Sequence, residues 1–367
     1  MKKYLFIVGR NIELSVAEIK SFLEREKIDF KITAKVKNGV LVETERILQK
    51  GVIENFGGVV SIGEVISEGN FEKISRELDE KTLYSAKGNK LNYVVFDFNG
   101  KSSEEILGYL KNRFKEERLK ATLKKISGRI ELQNGERVSK VSSNLINEQY
   151  FVFLDTFGKI IENYDYVSVE KRDMGKPVRR SELSISPRLA KILINLSQVK
   201  KGETLLDPFC GIGTILQESL LQSIKVIGID NDKTAISNAK INLEWFKFKR
   251  ENYEVINDDS SSVKIQKVSG IATEPDLGEL QKKIPTTEKA KELIRKYENL
   301  MIRVLKNLRK DVRGKIVFTA PLVETINGKI SPDFNRIANS AGLRIVLGPI
   351  QEFREKSIVG RNILVFE

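Results

Sequence analysis

Between residues 204 and 230 the chain reads Thr-Leu-Leu-Asp, then Pro-Phe-Cys-Gly-Ile-Gly, then a helical stretch from Thr214, and closes on Lys-Val-Ile-Gly-Ile-Asp. An apolar strand runs into a glycine turn, an amphipathic helix follows, and a second strand ends on a carboxylate. That order is the unit from which doubly wound parallel sheets are built. Gly211 and Gly213 let the backbone bend sharply and approach a ligand with no Cβ in the way. Asp230, at the end of the second strand, is placed to accept hydrogen bonds from ribose hydroxyls. The arrangement suits an adenosine-containing cofactor at the carboxyl edge of the sheet. It lacks the third glycine of the dinucleotide fingerprint, and no Gly-Lys-Ser/Thr phosphate loop is present.

The rest of the composition narrows the chemistry. Histidine is absent, which removes His-based acid–base catalysis, Ser-His triads and nearly every zinc site. Metal binding has no support, so any reaction must run on carboxylates, backbone groups and a bound cofactor. The single cysteine, Cys210, excludes an intramolecular disulfide framework and fits a reducing cytoplasm. At 40% apolar residues the chain has no run long enough to cross a bilayer, and Met1–Val8 breaks too early for a signal peptide. A net charge of +13 favours a polyanionic partner over a merely solvated, lysine-rich surface.

A chain of 367 residues has room for two or three domains. Strand, helix, strand, strand over Tyr4–Glu43 predicts a small ferredoxin-like unit within residues 1–50, its helix starting with Ser15 as cap and Glu18 completing a capping box. Residues 51–160 form a second α/β module with a strand at Asn92–Phe98 and a helix at Ser103–Phe114. Lys111 to Arg129 is strongly basic, with Lys111, Arg113, Lys120, Lys124 and Lys125 as candidate phosphate contacts. Residues 161–185 lack periodicity and read as a linker, in which Arg172, Lys176, Arg179 and Arg180 could also meet RNA. Ser186 and Pro187 then open a helix as cap and first residue. From there to residue 367 strands alternate with helices, which argues a doubly wound parallel sheet closed by a late antiparallel hairpin.

The Asp-Pro-Phe-Cys-Gly-Ile-Gly-Thr stretch resembles motif I of class I S-adenosylmethionine-dependent methyltransferases, in the form used by amino-group methylases. Taken with the ferredoxin-like start, the basic α/β module and the linker ending in Arg-Asp-Met-Gly-Lys-Pro-Val-Arg-Arg, the chain looks like the THUMP-containing tRNA guanine N2-methyltransferases that act on guanosine ten. The resemblance is densest over 170–245 and loose in the first 150 residues. It implies ferredoxin-like and THUMP modules that grip tRNA ahead of a Rossmann-like catalytic domain; with the composition, the expectation is a cytoplasmic monomer that binds neither metal nor membrane. It also implies S-adenosylmethionine bound by Ser186, Pro187, Asp207, Pro208, Phe209, Cys210, Gly211, Gly213, Thr214, Asp230, Asn231 and Asp258.

In that family an Asp-Pro-Pro-Tyr motif after the fourth strand holds the target amine and stacks the flipped base. The matching stretch here is Glu274, Pro275, Asp276 and Leu277, followed by Gly278: one methylene longer at the carboxylate, and with leucine in place of the aromatic ring. Two readings remain open. Either Glu274 still receives the amine while Leu277 or another apolar residue packs the base, or the site binds cofactor and RNA with the chemistry lost or its nucleic-acid target changed. Cys210 reads as a small, partly buried thiol rather than a nucleophile, and Trp245 and Phe246 as packing residues.

Overall fold

The computed structural model describes residues 1–367 apart from 10, 86–87, 125–128, 132–136, 140–144, 180–184, 278–282 and 354–356, with backbone alone at 129–131 and 137–139. It divides into two compact units. One comprises Met1–Ile12, Ile28–Glu54 and Gly58–Glu170; the other comprises Glu13–Lys27, Asn55–Gly57 and Lys171–Glu367.

The first unit is built on one sheet. Its strands are β1 (Lys2–Val8), β2 (Phe30–Val36), β3 (Gly39–Thr44), β4 (Val59–Glu68), β5 (Lys90–Phe98), β6 (Lys120–Leu123), β9 (Glu148–Phe153) and β10 (Thr156–Asn163), in the order β2-β3-β1-β4-β10-β9-β5-β6; β7 (Arg129–Glu131) and β8 (Arg137–Ser139) pair separately. Strands from residues 1–50 and 51–160 thus share one hydrogen-bonded surface, with Phe6 of β1 opposite both Val40 and Ile62. Alternation along the strands sorts the core onto two faces. Tyr150 and Val152 pack with Ile74 and Leu78 of α2 (Phe71–Asp79) and with Ile106, Leu110 and Phe114 of α3 (Ser103–Glu116), whereas Phe151 and Phe153 pack with Leu5, Ile7 and Phe98. Helix α2 buries Ile74 and Leu78 and packs Phe71 against the same cluster, an apolar stripe spaced i, i+3, i+7.

Helix α1 (Ile12–Arg25) belongs, from Glu13 onward, to the second unit. It starts three residues earlier than its sequence suggests, so Ser15 lies inside it and no capping box forms. Glu18 is instead fully buried: its Oε1 accepts from the Gly57 amide at 2.7 Å and from Asn195 Nδ2 at 2.8 Å. Asn195 also donates to the Asn55 carbonyl at 2.9 Å. Gly57 is needed here, since a Cβ would stand 1.9 Å from the Arg188 carbonyl oxygen.

The linker region is also more ordered than expected. A helix, α4 (Tyr166–Gly175), starts where the Asp165 carboxylate accepts from the Ser168 amide at 3.0 Å. Tyr166 and Val169 are its only buried residues, so no apolar stripe announces it.

Beyond it come α5 (Pro187–Ser197), β11 (Thr204–Asp207), α6 (Thr214–Leu221), β12 (Lys225–Asp230), α7 (Lys233–Trp245), β13 (Tyr253–Asn257), β14 (Gly270–Thr273), α8 (Thr287–Leu308), β15 (Ile316–Thr325), β16 (Gly328–Ile330), α9 (Phe334–Ala341), β17 (Ile345–Glu352) and β18 (Val359–Phe366). The sheet order is β13-β12-β11-β14-β15-β18-β17, parallel except at β18. This is a Rossmann-like doubly wound sheet. Neighbouring residues face opposite sides: Leu206, Ile271 and Phe318 pack with α8 and α9, while Leu205, Ala272 and Val317 pack with α5 and α6. Both faces are covered, which is why these strands read as unbroken apolar runs.

Candidate active site

The chain winds from β11 outward through β12 to β13, then returns to place β14 on the other side of β11. The crevice at such a reversal lies beyond the carboxyl ends of the strands. Four carboxylates follow those ends in turn: Asp207 on β11, Asp230 on β12, Asp258 just past β13 and Glu274 just past β14.

The turn from β11 to α6 is held tightly. The Cys210 amide donates to the Ile229 carbonyl at 2.9 Å and the Gly213 amide to the Cys210 carbonyl at 2.8 Å. Gly211 and Gly213 have φ of +52° and +87°, and a Cβ at Gly211 would meet open space. Strain alone therefore selects glycine at 211. Asp230 braces this turn: Oδ2 accepts from the Gly211 amide and Oδ1 from the Asp232 amide, both at 2.9 Å. Each oxygen keeps a further lone pair for a ligand hydroxyl.

Asp207 is fully enclosed, and its Oδ1 accepts from Thr273 Oγ1 at 2.6 Å and from the Phe209 amide at 3.2 Å. Burial pushes its pKa up to about 7, with the charges of Asp230 and Glu274 adding and the two hydrogen bonds opposing. Burial, aided by Asp207 and Asp230, also holds the Cys210 thiol well above its usual range. Cys210 is thus a poor nucleophile.

Glu274 sits in a buried clamp. Its Oε1 accepts from Arg361 Nε at 2.5 Å and from Thr319 Oγ1 at 3.2 Å, and its Oε2 meets Arg361 Nη2 at 3.3 Å. Burial alone would lower the guanidinium pKa, but the charge and hydrogen bond of Glu274 outweigh it and the net shift is upward. Of its neighbours, Pro275 is buried, Asp276 is exposed, and Leu277 is half-buried against the same core cluster as Phe209. Gly278 lies outside the described residues.

Residues 176–320 match the family model described as an RMKL-like methyltransferase domain, and residues 59–241 match one described as a DNA methylase. The second unit carries a methyltransferase domain. Two curated relatives, both named tRNA (guanine(10)-N2)-dimethyltransferase, align over most of both chains. The protein of Methanothermobacter thermautotrophicus is 26% identical over 287 residues, 76% of this chain and 78% of its own length. That of Pyrococcus abyssi is 25% identical over 354 residues, 92% of this chain and 96% of its own. Among solved structures, TrmN from Thermus thermophilus superposes with a TM-score of 0.52 at 14% identity, covering 100% of this chain and 99% of that one, which speaks to the fold.

Around the methyltransferase domain's glycine turn, the structure places the remaining sequence candidates unevenly. Ser186 caps α5 through the Leu189 amide at 3.2 Å, with the buried Pro187 as first helical residue. Thr214 opens α6 and is buried, and the Pro208 carbonyl accepts from Ser260 Oγ at 2.6 Å. Asn231 is exposed, as is Asp258, whose carboxylate accepts from the Asp259 amide at 2.7 Å. Thr273, Thr319, Ser260 and Arg361 were not singled out from sequence. Arg361 lies 87 positions from Glu274, and no local motif marks it.

The basic candidates divide as well. Arg172 forks onto Glu218, with Nη2 2.9 Å from both carboxylate oxygens, and the buried Lys176 donates to Asp173 at 2.7 Å and to Thr214 Oγ1 at 3.4 Å. Both are committed to the methyltransferase domain rather than presented to a partner. Asn242 ties the adjoining segment down, accepting from the Val178 amide at 3.0 Å and donating to the Val178 and Ile212 carbonyls, each at 3.1 Å. Arg113 is likewise engaged, by Glu117, Tyr109 and the Leu78 carbonyl. Lys111, Lys120, Lys124 and Arg179 are exposed, and Lys125 and Arg180 fall outside the described residues. Trp245, expected to pack, is 44% exposed, with Phe246 edge-on to it at 4.9 Å. Among the described residues no cluster of side chains suits a metal ion, and no helix is long and apolar enough to cross a membrane.

Proposed function

We propose that this protein is an S-adenosylmethionine-dependent tRNA methyltransferase that acts on the exocyclic N2 amine of guanosine ten. The observation that carries the reading is the juxtaposition at one switch point of an open glycine turn braced by Asp230 and a buried carboxylate, Glu274, on the adjoining strand end. The names borne by the two aligned relatives supply the substrate.

The residues present suit the cofactor. Asp230 has acceptor capacity left for a ribose diol, and the space beside Gly211 that a Cβ would fill is open. When bound, S-adenosylmethionine supplies an electrophilic methyl group on a sulfonium. The guanine amine is a poor nucleophile because its lone pair is delocalised into the ring. Glu274, accepting a hydrogen bond from an N–H of that amine, favours a more tetrahedral nitrogen, holds it for in-line approach, and would take up the proton that the nitrogen sheds as its bond to the methyl carbon replaces the methyl–sulfur bond. Positioning of this kind supplies much of the acceleration in such reactions. Exposed lysines such as Lys111, Lys120 and Lys124 suit phosphate contacts that position an RNA without reading its sequence.

The test is methyl transfer from labelled S-adenosylmethionine to two tRNA transcripts, one with guanosine and one with adenosine at position ten. Nucleoside mass spectrometry is expected to find N2-methylated guanosine in the first alone. Binding of cofactor and tRNA without transfer overturns the enzymatic reading; equal transfer to both transcripts overturns the site. Asp230→Ala removes charged acceptors worth roughly 1.5–3 kcal/mol each, so S-adenosylhomocysteine is expected to bind about 10–100-fold more weakly in calorimetry.

A further inference from the structure

We propose that Arg361 is a positioning residue for methyl transfer, fixing the Glu274 carboxylate so that Oε2 is the oxygen offered to the target amine. This rests on the function proposed above. Arg361 stands on β18 opposite Pro321 of β15, and Thr319 stands on β15 itself, so the clamp on Glu274 comes from two strands of the rigid sheet.

The two carboxylate oxygens are not equivalent. Among the described residues Oε1 takes two contacts, from Arg361 Nε at 2.5 Å and Thr319 Oγ1 at 3.2 Å, whereas Oε2 takes one, from Arg361 Nη2 at 3.3 Å. A carboxylate offers about four acceptor sites, so Oε1 is spent and Oε2 retains capacity. Glutamate also has one more rotatable bond than aspartate, and a clamp of planar guanidinium and hydroxyl removes that freedom. The side chains of Glu274 and Arg361 are 10% and 23% exposed, and the ionisable groups near them among the described residues include Asp207 and Tyr297 beside Glu274 and Glu352 beside Arg361. A buried ion pair contributes little net stability over an apolar substitute, which leaves geometry as its use here.

If Arg361 acts through Glu274, removing both costs no more than removing one. Single-turnover methyl transfer is therefore compared for wild type, Arg361→Gln, Arg361→Lys, Glu274→Gln and the Glu274→Gln/Arg361→Gln double variant. Melting and S-adenosylhomocysteine binding are recorded for each. Arg361→Gln is expected to slow transfer about 10–100-fold with cofactor and tRNA affinity within about 2-fold of wild type, since a displacement near 1 Å costs on that order. Arg361→Lys keeps the charge without the fork and recovers part of the rate. In the Glu274→Gln background Arg361→Gln is expected to cost nothing further. Equal fold-losses in both backgrounds overturn the proposal, as does a loss confined to tRNA affinity. Should Arg361→Gln fail to fold, Thr319→Val removes the second donor to Oε1, and an unchanged rate there is equally decisive against it. Absence of transfer by the wild type sinks the methyl-transfer reading itself, and that result shows in the wild-type arm alone.

Discussion

Glu18→Ala is expected to lower the melting temperature of the second unit by on the order of 10 °C, although Glu18 lies some 190 residues before the first strand of that unit's sheet. The carboxylate is fully buried and satisfies two donors, the Gly57 amide and Asn195 Nδ2. Alanine leaves both without that acceptor. It also removes a negative charge that helps offset the burial of Arg25, whose pKa is lowered chiefly by desolvation. Breaking a buried charged network in this way costs about 3–5 kcal/mol. Glu18→Gln keeps an acceptor at the same place and is expected to melt much nearer to wild type. Thermal melting of the three proteins checks this; equal melting temperatures for Ala and Gln would refute a hydrogen-bonding role.

The second large effect concerns pH. Asp207 holds its proton to about pH 7 in the folded protein, whereas an aspartate in the unfolded chain releases it near 3.8. Between those values the folded state binds more protons, so stability falls as pH rises, by about 1.4 kcal/mol per unit and roughly 4 kcal/mol in all. The loss is complete above pH 7 and absent below about 3.8. Asp207→Asn cannot ionise, yet keeps an oxygen for Thr273 and the Phe209 amide. It is therefore expected to be more stable than wild type at pH 8 by as much as a few kcal/mol, with little difference at pH 4.5. Urea unfolding at the two pH values measures it. Parallel curves for variant and wild type would show that Asp207 does not titrate between them.

The catalytic half was readable because its signals are local. Apolar strands alternating with capped helices specify which segments pair, and Ser186 caps α5 as its sequence context requires. Gly211, Gly213 and Asp230 fall within one strand–turn–helix–strand stretch, so their proximity follows from chain connectivity. The front half was less legible. Separate modules over 1–50 and 51–160 were expected, but β1 carries β3 on one edge and β4 on the other, a pairing no local pattern announces. Helix α4 escaped notice because it buries only Tyr166 and Val169 and is tied down through the Arg172–Glu218 ion pair rather than by an apolar stripe.

Charge was the least transparent property. Arg172 and Lys176 look like RNA contacts beside Arg179 in the chain, yet the first two are spent on Glu218, Asp173 and Thr214. The carboxylate that Arg172 meets lies 46 positions away and the hydroxyl that Lys176 meets lies 38 away, each brought in only by packing, although Asp173 is a local partner for Lys176.

Residue order alone is enough for a glycine turn to bend, for a capped helix to start and for a carboxylate to end a strand, since each depends on a few adjacent torsions and donors. It does not say that Glu18 of an early helix closes the catalytic unit, or that Arg361 near the end of the chain grips Glu274. Those pairings exist because burial in a shared core removes competing water from ions and amides that the chain order leaves far apart.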